Sequence, residues 1–244
     1  MELVAYALRE LEVGFEQIAA SVPPPARITI RGRHAYRYKE RTSEQAVVLK
    51  LARLISCVRA GMILLENGMD QELGILQRAM DETDEDIHFL CGPKLGGELT
   101  ARHAEFLEYF FREEFREDGS HDLDRPSISR QKIMAYNART IPGSDDPSRA
   151  LSAARRLHKA FSGYAHGAAP HLIEFYGGNP PRFRLAGILG TSLHDGHVGS
   201  FANYPYRALM TAGMVASSFG IKPADGALFV ASVRYGRASG LHRE

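Results

Sequence analysis

The stretch Thr42–Asn67, TSEQAVVLKLARLISCVRAGMILLEN, decides the fold. Val47, Leu51, Leu54, Val58, Met62 and Leu65 recur at steps of three and four, the spacing of one face of an α-helix. Val48, Ile55 and Leu64 widen the apolar surface, so this helix is expected to lie centrally, covered by others. Thr42-Ser43-Glu44-Gln45 opens it as a capping box, in which Thr42 and Gln45 satisfy each other's free amides. Asn67-Gly68 ends it.

Immediately downstream, the spacing predicts a second helix from a cap at Asp70 to about Leu90. Leu73, Leu76, Met80, Ile87 and Leu90 form its main apolar stripe, while Gln77, Asp81, Asp84 and His88 form a polar stripe expected to face water. A third side carries Ile75, Arg78, Glu82 and Phe89. Arg78 and Glu82, four apart and bracketed by apolar residues, are expected to form a partly buried pair. Desolvation offsets much of such a pair's attraction, so it marks either helix register or a site.

Upstream, Glu2 to about Ala20 has helical spacing in Val4, Leu8, Leu11, Phe15 and Ile18, and Pro23-Pro24-Pro25 follows its end. Arg27–Arg41, RITIRGRHAYRYKER, alternates and contains Gly32, so a small hairpin is expected near 27–38. This arm sets Arg27, Arg31, Arg33, Arg37, Lys39 and Arg41 against Glu40, with Tyr36 and Tyr38 among them. Cations with interleaved aromatics suit a phosphate backbone and stacked bases, although a solvated arm has the same composition.

Beyond Cys91-Gly92-Pro93, a helix from Glu98 to about Arg116 is expected to turn Ala104, Leu107, Phe111 and Phe115 inward. Residues 118–127 read as a loop and Ile128–Arg139 as a short helix. Asp146-Pro147 supplies an N-cap with proline at the first helical position. Leu172–Tyr176 continues as a bent helix, and Gly177–Gly199, with eight Gly or Pro residues, reads as irregular. Asn203 is expected to cap a helix from Pro205, where Ala208, Ala212 and Ala216 permit a close crossing, and a last helix spans about Asp225–Tyr235. The expected fold is one all-α domain over 1–244 with six to eight helices. It comprises an N-terminal helix and basic arm (1–42), a bundle core (43–176) and C-terminal helices (200–236).

A net charge of +1 excludes a bulk field toward nucleic acid or anionic lipid, so any such attraction must be local. Two cysteines, Cys57 and Cys91, on helices, fit buried thiols in a reduced compartment rather than a disulfide scaffold. The N-terminus lacks the apolar run of a signal peptide. The longest uncharged run near the C-terminus, Ala208–Ile221, has 14 residues, short of the about 20 that span a bilayer. The expectation is a cytoplasmic protein with no membrane association.

The best candidate site lies in Arg155–His171, RRLHKAFSGYAHGAAPH, which holds three of the ten histidines. At about 100° per residue, Arg155, Lys159, Ser162 and His166 fall on one stripe, with Leu157, Ala160, Phe161, Tyr164 and Ala168 opposite. The candidate catalytic residues are therefore His166, Lys159, Arg155 and Ser162, and the candidate binding residues Arg78, Glu82, His158 and His171.

Arg78-x-x-x-Glu82 on one helix and Ser162-x-x-x-His166-Gly167 on a later one carry a resemblance. Over roughly Ser43 to Tyr176 the chain resembles bacterial all-α proteins of unknown function related in layout to the HEPN superfamily. The resemblance implies a helical bundle. It also implies, as in many such proteins, a metal-independent ribonuclease of toxin–antitoxin or phage-defence systems, whose dimer brings two Arg-x(4–6)-His motifs together. His166 matches the histidine. The arginine has no match: Lys159, Ala160 and Phe161 occupy the allowed positions, and a lysine's point charge does not replace a bidentate guanidinium.

As a ribonuclease, the chain would use His166 as base or acid and Lys159 or Arg155 to hold phosphate, with Ser162 or Tyr164 assisting. For a metal bundle the ligand types are His158, His166, His171, Glu82 and Asp86. The one Glu-x-x-His, Glu85 and His88, falls on the side expected to face water, and a di-iron bundle needs two such pairs facing inward. His194-Asp195-Gly196-His197 reads as part of a Gly-rich loop. Phosphate-loop, dinucleotide, nucleophile-elbow and CxxC motifs are missing. Strong core patterning with weak chemistry ranks a binding module for a nucleotide, RNA or protein partner first, as a homodimer with no cofactor. The ribonuclease stands second and the metal bundle third.

Overall fold

A computed structural model describes residues 1–30, 32–115, 119–121, 128–140 and 146–241. The helices are α1 (Glu2–Ala20), α2 (Ser43–Glu66), α3 (Asp70–Cys91), α4 (Ala101–Phe111), α5 (Arg130–Thr140), α6 (Pro147–Ala165), the single turn α7 (Ala169–Leu172), α8 (Ser192–Phe201), α9 (Asn203–Ser218) and α10 (Lys222–Ala238). A hairpin of β1 (Ala26–Ile30) and β2 (Arg33–Arg37) stands between α1 and α2. The all-α bundle with its small hairpin is as the sequence implied.

The central helix is α2. Its stripe of Val47, Leu51, Leu54, Val58 and Leu65 is buried, and the capping box forms: Thr42 Oγ1 accepts from Gln45 N–H, and Gln45 Oε1 from Thr42 N–H. It packs along α3, while α1 and α9 lie against it and α10 packs on those two. Ala208, Ala212 and Ala216 are buried and let α9 cross its neighbours closely. At α6, Asp146 Oδ1 accepts from the amides of Ser148 and Arg149, the expected cap.

Several expectations need correction. Among the described residues nine helices have ten or more residues, not six to eight. The added one is α8: Thr191 Oγ1 caps the amide of His194, so the end of the Gly-rich tract is helical and His194-Asp195-Gly196-His197 lies on a helix. Asp70 is the first residue of α3 rather than its cap, because its carboxylate is taken by His194. Helix α9 starts at Asn203, with Ala202 at the cap position.

The phase of α4 differs in part: Leu107 and Phe111 pack against the core as expected, whereas Ala104 is exposed. His103 and Phe106 point inward, and the helix ends at Phe111, leaving Phe115 beyond it and exposed. The His103 ring stacks on Phe89 at 4.1 Å and bridges two elements. Its Nδ1 accepts from Thr100 N–H, so Nε2 carries the proton donated to the Phe89 carbonyl. Most of the expected 118–127 loop, the expected helix end at Arg116, and Arg31 lie outside the described residues.

The largest correction concerns the stripe of Gln77, Asp81, Asp84 and His88. Gln77 is 0% and Asp81 2% exposed, and Asp84 is also buried. α9 covers this side and supplies partners to the acids, which the pattern of α3 alone cannot reveal. Arg207 reaches Asp81 at 2.6 Å and Asp84 at 2.8 Å, the Thr211 hydroxyl donates to Asp84, and the Tyr204 hydroxyl to Asp81.

Candidate functional site

Helix α6 lies on α3 and α5 without a single fully buried residue. Polar contacts therefore help to hold it. Arg78 and Glu82 pair on α3 at 3.2 Å, the partly buried couple the spacing implied. His158 of α6 completes a three-residue clamp: its Nε2 is 3.0 Å from an Arg78 guanidinium nitrogen and 3.2 Å from Glu82 Oε1. Arg78 also donates to the His158 carbonyl. With its proton on Nδ1 the imidazole accepts from Arg78; as imidazolium it donates to Glu82.

The expected catalytic stripe points away from this clamp. Arg155, Lys159 and His166 are exposed, and Ser162 is partly so. His166 is the C-cap of α6, its amide bonded to the Ser162 carbonyl, and its ring has no hydrogen-bond partner among the described residues. It sits eight residues beyond His158, about 12 Å along a helix. The carboxylate–guanidinium couple and His166 thus do not share a crevice: His158 holds the place at Glu82. On the open arc of α6, Arg149 and Arg156 join Arg155 and Lys159. The helix contains no Asp or Glu, and none of these four cations has an ion pair among the described residues.

A second polar centre gathers where α6, α7 and α8 meet the start of α3. Glu174 accepts from Tyr164 Oη (3.0 Å), from the Gln71 side-chain amide (2.8 Å) and from His197 Nε2 (3.3 Å). Burial, with the Glu174 charge second, pushes the Tyr164 hydroxyl far above its ordinary value. His171 places its ring edge-on to Tyr164 at 4.4 Å, with a buried Nδ1 that has no hydrogen-bond partner among the described residues. Beside them, His194 Nδ1 lies 3.0 Å from the fully buried carboxylate of Asp70. Sequence reading missed His194, His197, Asp70, Gln71 and Glu174. The available signal was two histidines three apart behind a threonine cap, hidden by surrounding glycines.

A third cluster is the acidic seam of α3. Burial lifts the Asp81 carboxyl, although Arg207 opposes the effect. At Asp84 burial is outweighed by His88, Arg207 and Thr211, which hold the carboxyl below its ordinary value. Glu85, desolvated and beside Asp81, Asp86 and Asp84, is pushed up to about 7 despite Arg130. Its Oε2 is 3.5 Å from Arg130, close enough for attraction, yet accepts no hydrogen bond among the described residues. Arg130 spends its own shorter contact, 2.6 Å, on Asp86, which Lys50 also reaches at 2.7 Å.

Of the eight candidate residues, the structure brings Arg78, Glu82 and His158 together, places His171 in the Glu174 centre, and leaves Arg155, Lys159, Ser162 and His166 on the outer side of α6. Among the described residues no group of three or more His, Cys, Asp or Glu is arranged to hold a metal ion, and no helix is long and apolar enough to cross a membrane. The chain matches no protein-family model, no curated protein and no solved structure.

Proposed function

We propose that the chain is a HEPN-like helical module that binds RNA along the outer arc of α6 without cleaving it. One observation carries this reading: Arg149, Arg155, Arg156 and Lys159 are exposed together on a helix free of acids, with no ion pair among the described residues. Unpaired cations on a rigid surface attract a phosphate backbone, and binding releases its counterions. The acids of this region are turned inward and neutralised by Arg207, Arg130 and Lys50, so they do not cancel the outer field. The reading also expects a homodimer, measurable by light scattering.

The test is anisotropy of a labelled RNA between 50 and 200 mM salt. Four phosphate contacts give a log–log slope of about −3, and Arg155→Gln with Arg156→Gln reduces its magnitude by about 1.4. Equal slopes in variant and parent reject the interface. A second reading, a metal-independent ribonuclease, is favoured by His166 standing exposed on the same arc as Lys159. It lacks a partner among the described residues that orients the imidazole, as a general base requires. Incubation with mixed RNA in EDTA separates the two: cleavage by the parent but not by His166→Ala replaces the binding reading with the enzyme.

A further inference from the structure

The hairpin and the end of α4 enclose a pocket of about 570 Å³, within the roughly 300–1,000 Å³ typical of small-molecule sites. Tyr36, Tyr38, Phe110, Phe111 and Phe115 give its lining five aromatic rings, and its charged lining is balanced, Arg37 and Arg112 against Glu113 and Glu114. Tyr36 is 64% exposed, a large ring held open to solvent. Its position is held: Arg37 clasps Glu113, just beyond α4, through two bonds of 2.5 and 2.9 Å, tying β2 to that helix.

The register then decides what sits beside the ring. Arg27 is the cross-strand partner of Tyr36, and directly paired residues of an antiparallel ladder stand on the same face. Arg27, Arg33 and Lys39 are exposed and have no ion pair among the described residues. An open aromatic ring with a free guanidinium beside it fits a base and its phosphate. In a duplex the bases stack on one another and do not offer their faces.

We infer that this pocket takes an unpaired nucleobase, with Tyr36 as the stacking platform and Arg27 on the adjoining phosphate, so that the module selects single-stranded RNA. The inference rests on the RNA-binding reading and adds the ligand class to it.

The chain contains no tryptophan, so Tyr36→Trp installs a single reporter at the pocket. Titration with a ten-nucleotide oligouridylate is expected to quench its emission saturably, and a blunt RNA duplex to leave it unchanged. Tyr36→Ala is expected to weaken the single strand about tenfold and the duplex not at all, since stacking carries most of the difference. Circular dichroism of each variant confirms that the exposed site tolerates the change. No quenching, equal quenching by duplex, or an emission shift with protein concentration alone (a second copy in the pocket) overturns the inference. If the α6 cation variants lose RNA while Tyr36→Ala does not, the pocket fails and the α6 interface stands. If only the Tyr36 variants lose RNA, the pocket stands and the α6 interface falls.

Discussion

His158 Nε2 lies 3.2 Å from Glu82 Oε1, and this is the point at which α6 is fastened to the centre of α3. The same nitrogen is 3.0 Å from Arg78, so one imidazole completes an ion pair from a neighbouring helix. Because α6 buries no residue completely, the fastening holds a larger share of that helix than it would in the core.

Removing the imidazole loosens α6 before the rest of the bundle. His158→Ala is expected to cost about 1 kcal/mol, the loss of a hydrogen-bonding partner to charged groups. For a chain of this size that lowers Tm by about 2–4 °C. Hydrogen exchange is expected to accelerate across α6 and not in α2. Uniform acceleration in both helices counts against a local fastening.

Arg207 stands between two buried carboxylates, 2.6 Å from Asp81 and 2.8 Å from Asp84. Truncating one side of such a network leaves the other charges desolvated and uncompensated. Arg207→Ala is expected to destabilise by about 3–5 kcal/mol in urea denaturation, and Thr211→Val, which removes one hydroxyl from Asp84, by about 1–2. Similar midpoints for the two variants would contradict this order.

Glu85 gives stability a pH slope. Its carboxyl is at about 7 in the folded chain against an ordinary 4.5, chiefly through burial and with Asp81, Asp86 and Asp84 adding to it. Between those values the folded state holds a proton that the unfolded chain has released, so stability falls as pH rises from about 4.5 to about 7. Glu85→Gln is expected to flatten that fall and exceed the parent by roughly 1–3 kcal/mol at pH 8, with little difference near pH 4.5. Denaturation midpoints measured across this range check it.

At Gly74 of α3 the Tyr164 ring of α6 packs against the helix backbone. A methyl on Gly74 would collide with the Tyr164 ring, whose hydroxyl donates to Glu174. Gly74→Ala is expected to cost about 1–3 kcal/mol despite its better helix propensity. Near-UV circular dichroism is expected to register the displaced tyrosine. An unchanged spectrum with raised stability would mean that the two helices separate without penalty.

The long amphipathic elements were legible because their information is local. The stripe of α2, the Thr42 capping box, the Asp146-Pro147 start and the hairpin around Gly32 all follow from residues a few positions apart. The Arg78–Glu82 pair was legible for the same reason, being one helical turn long. His158 was recognisable as a candidate, but not as the residue that meets Glu82.

What the sequence determined by itself was the class of fold, the main helices and the basic character of the α6 arc and the hairpin. Tertiary structure alone decided that Asp81 and Asp84 are buried under Arg207, that Asp70 and Glu174 receive His194 and His197, and that Tyr36 lines one pocket with Phe110 and Phe111 of α4. The reason is physical: periodicity reports which side of a helix is apolar, whereas a polar side is buried or bare according to whether another helix, remote in the chain, brings the opposite charge.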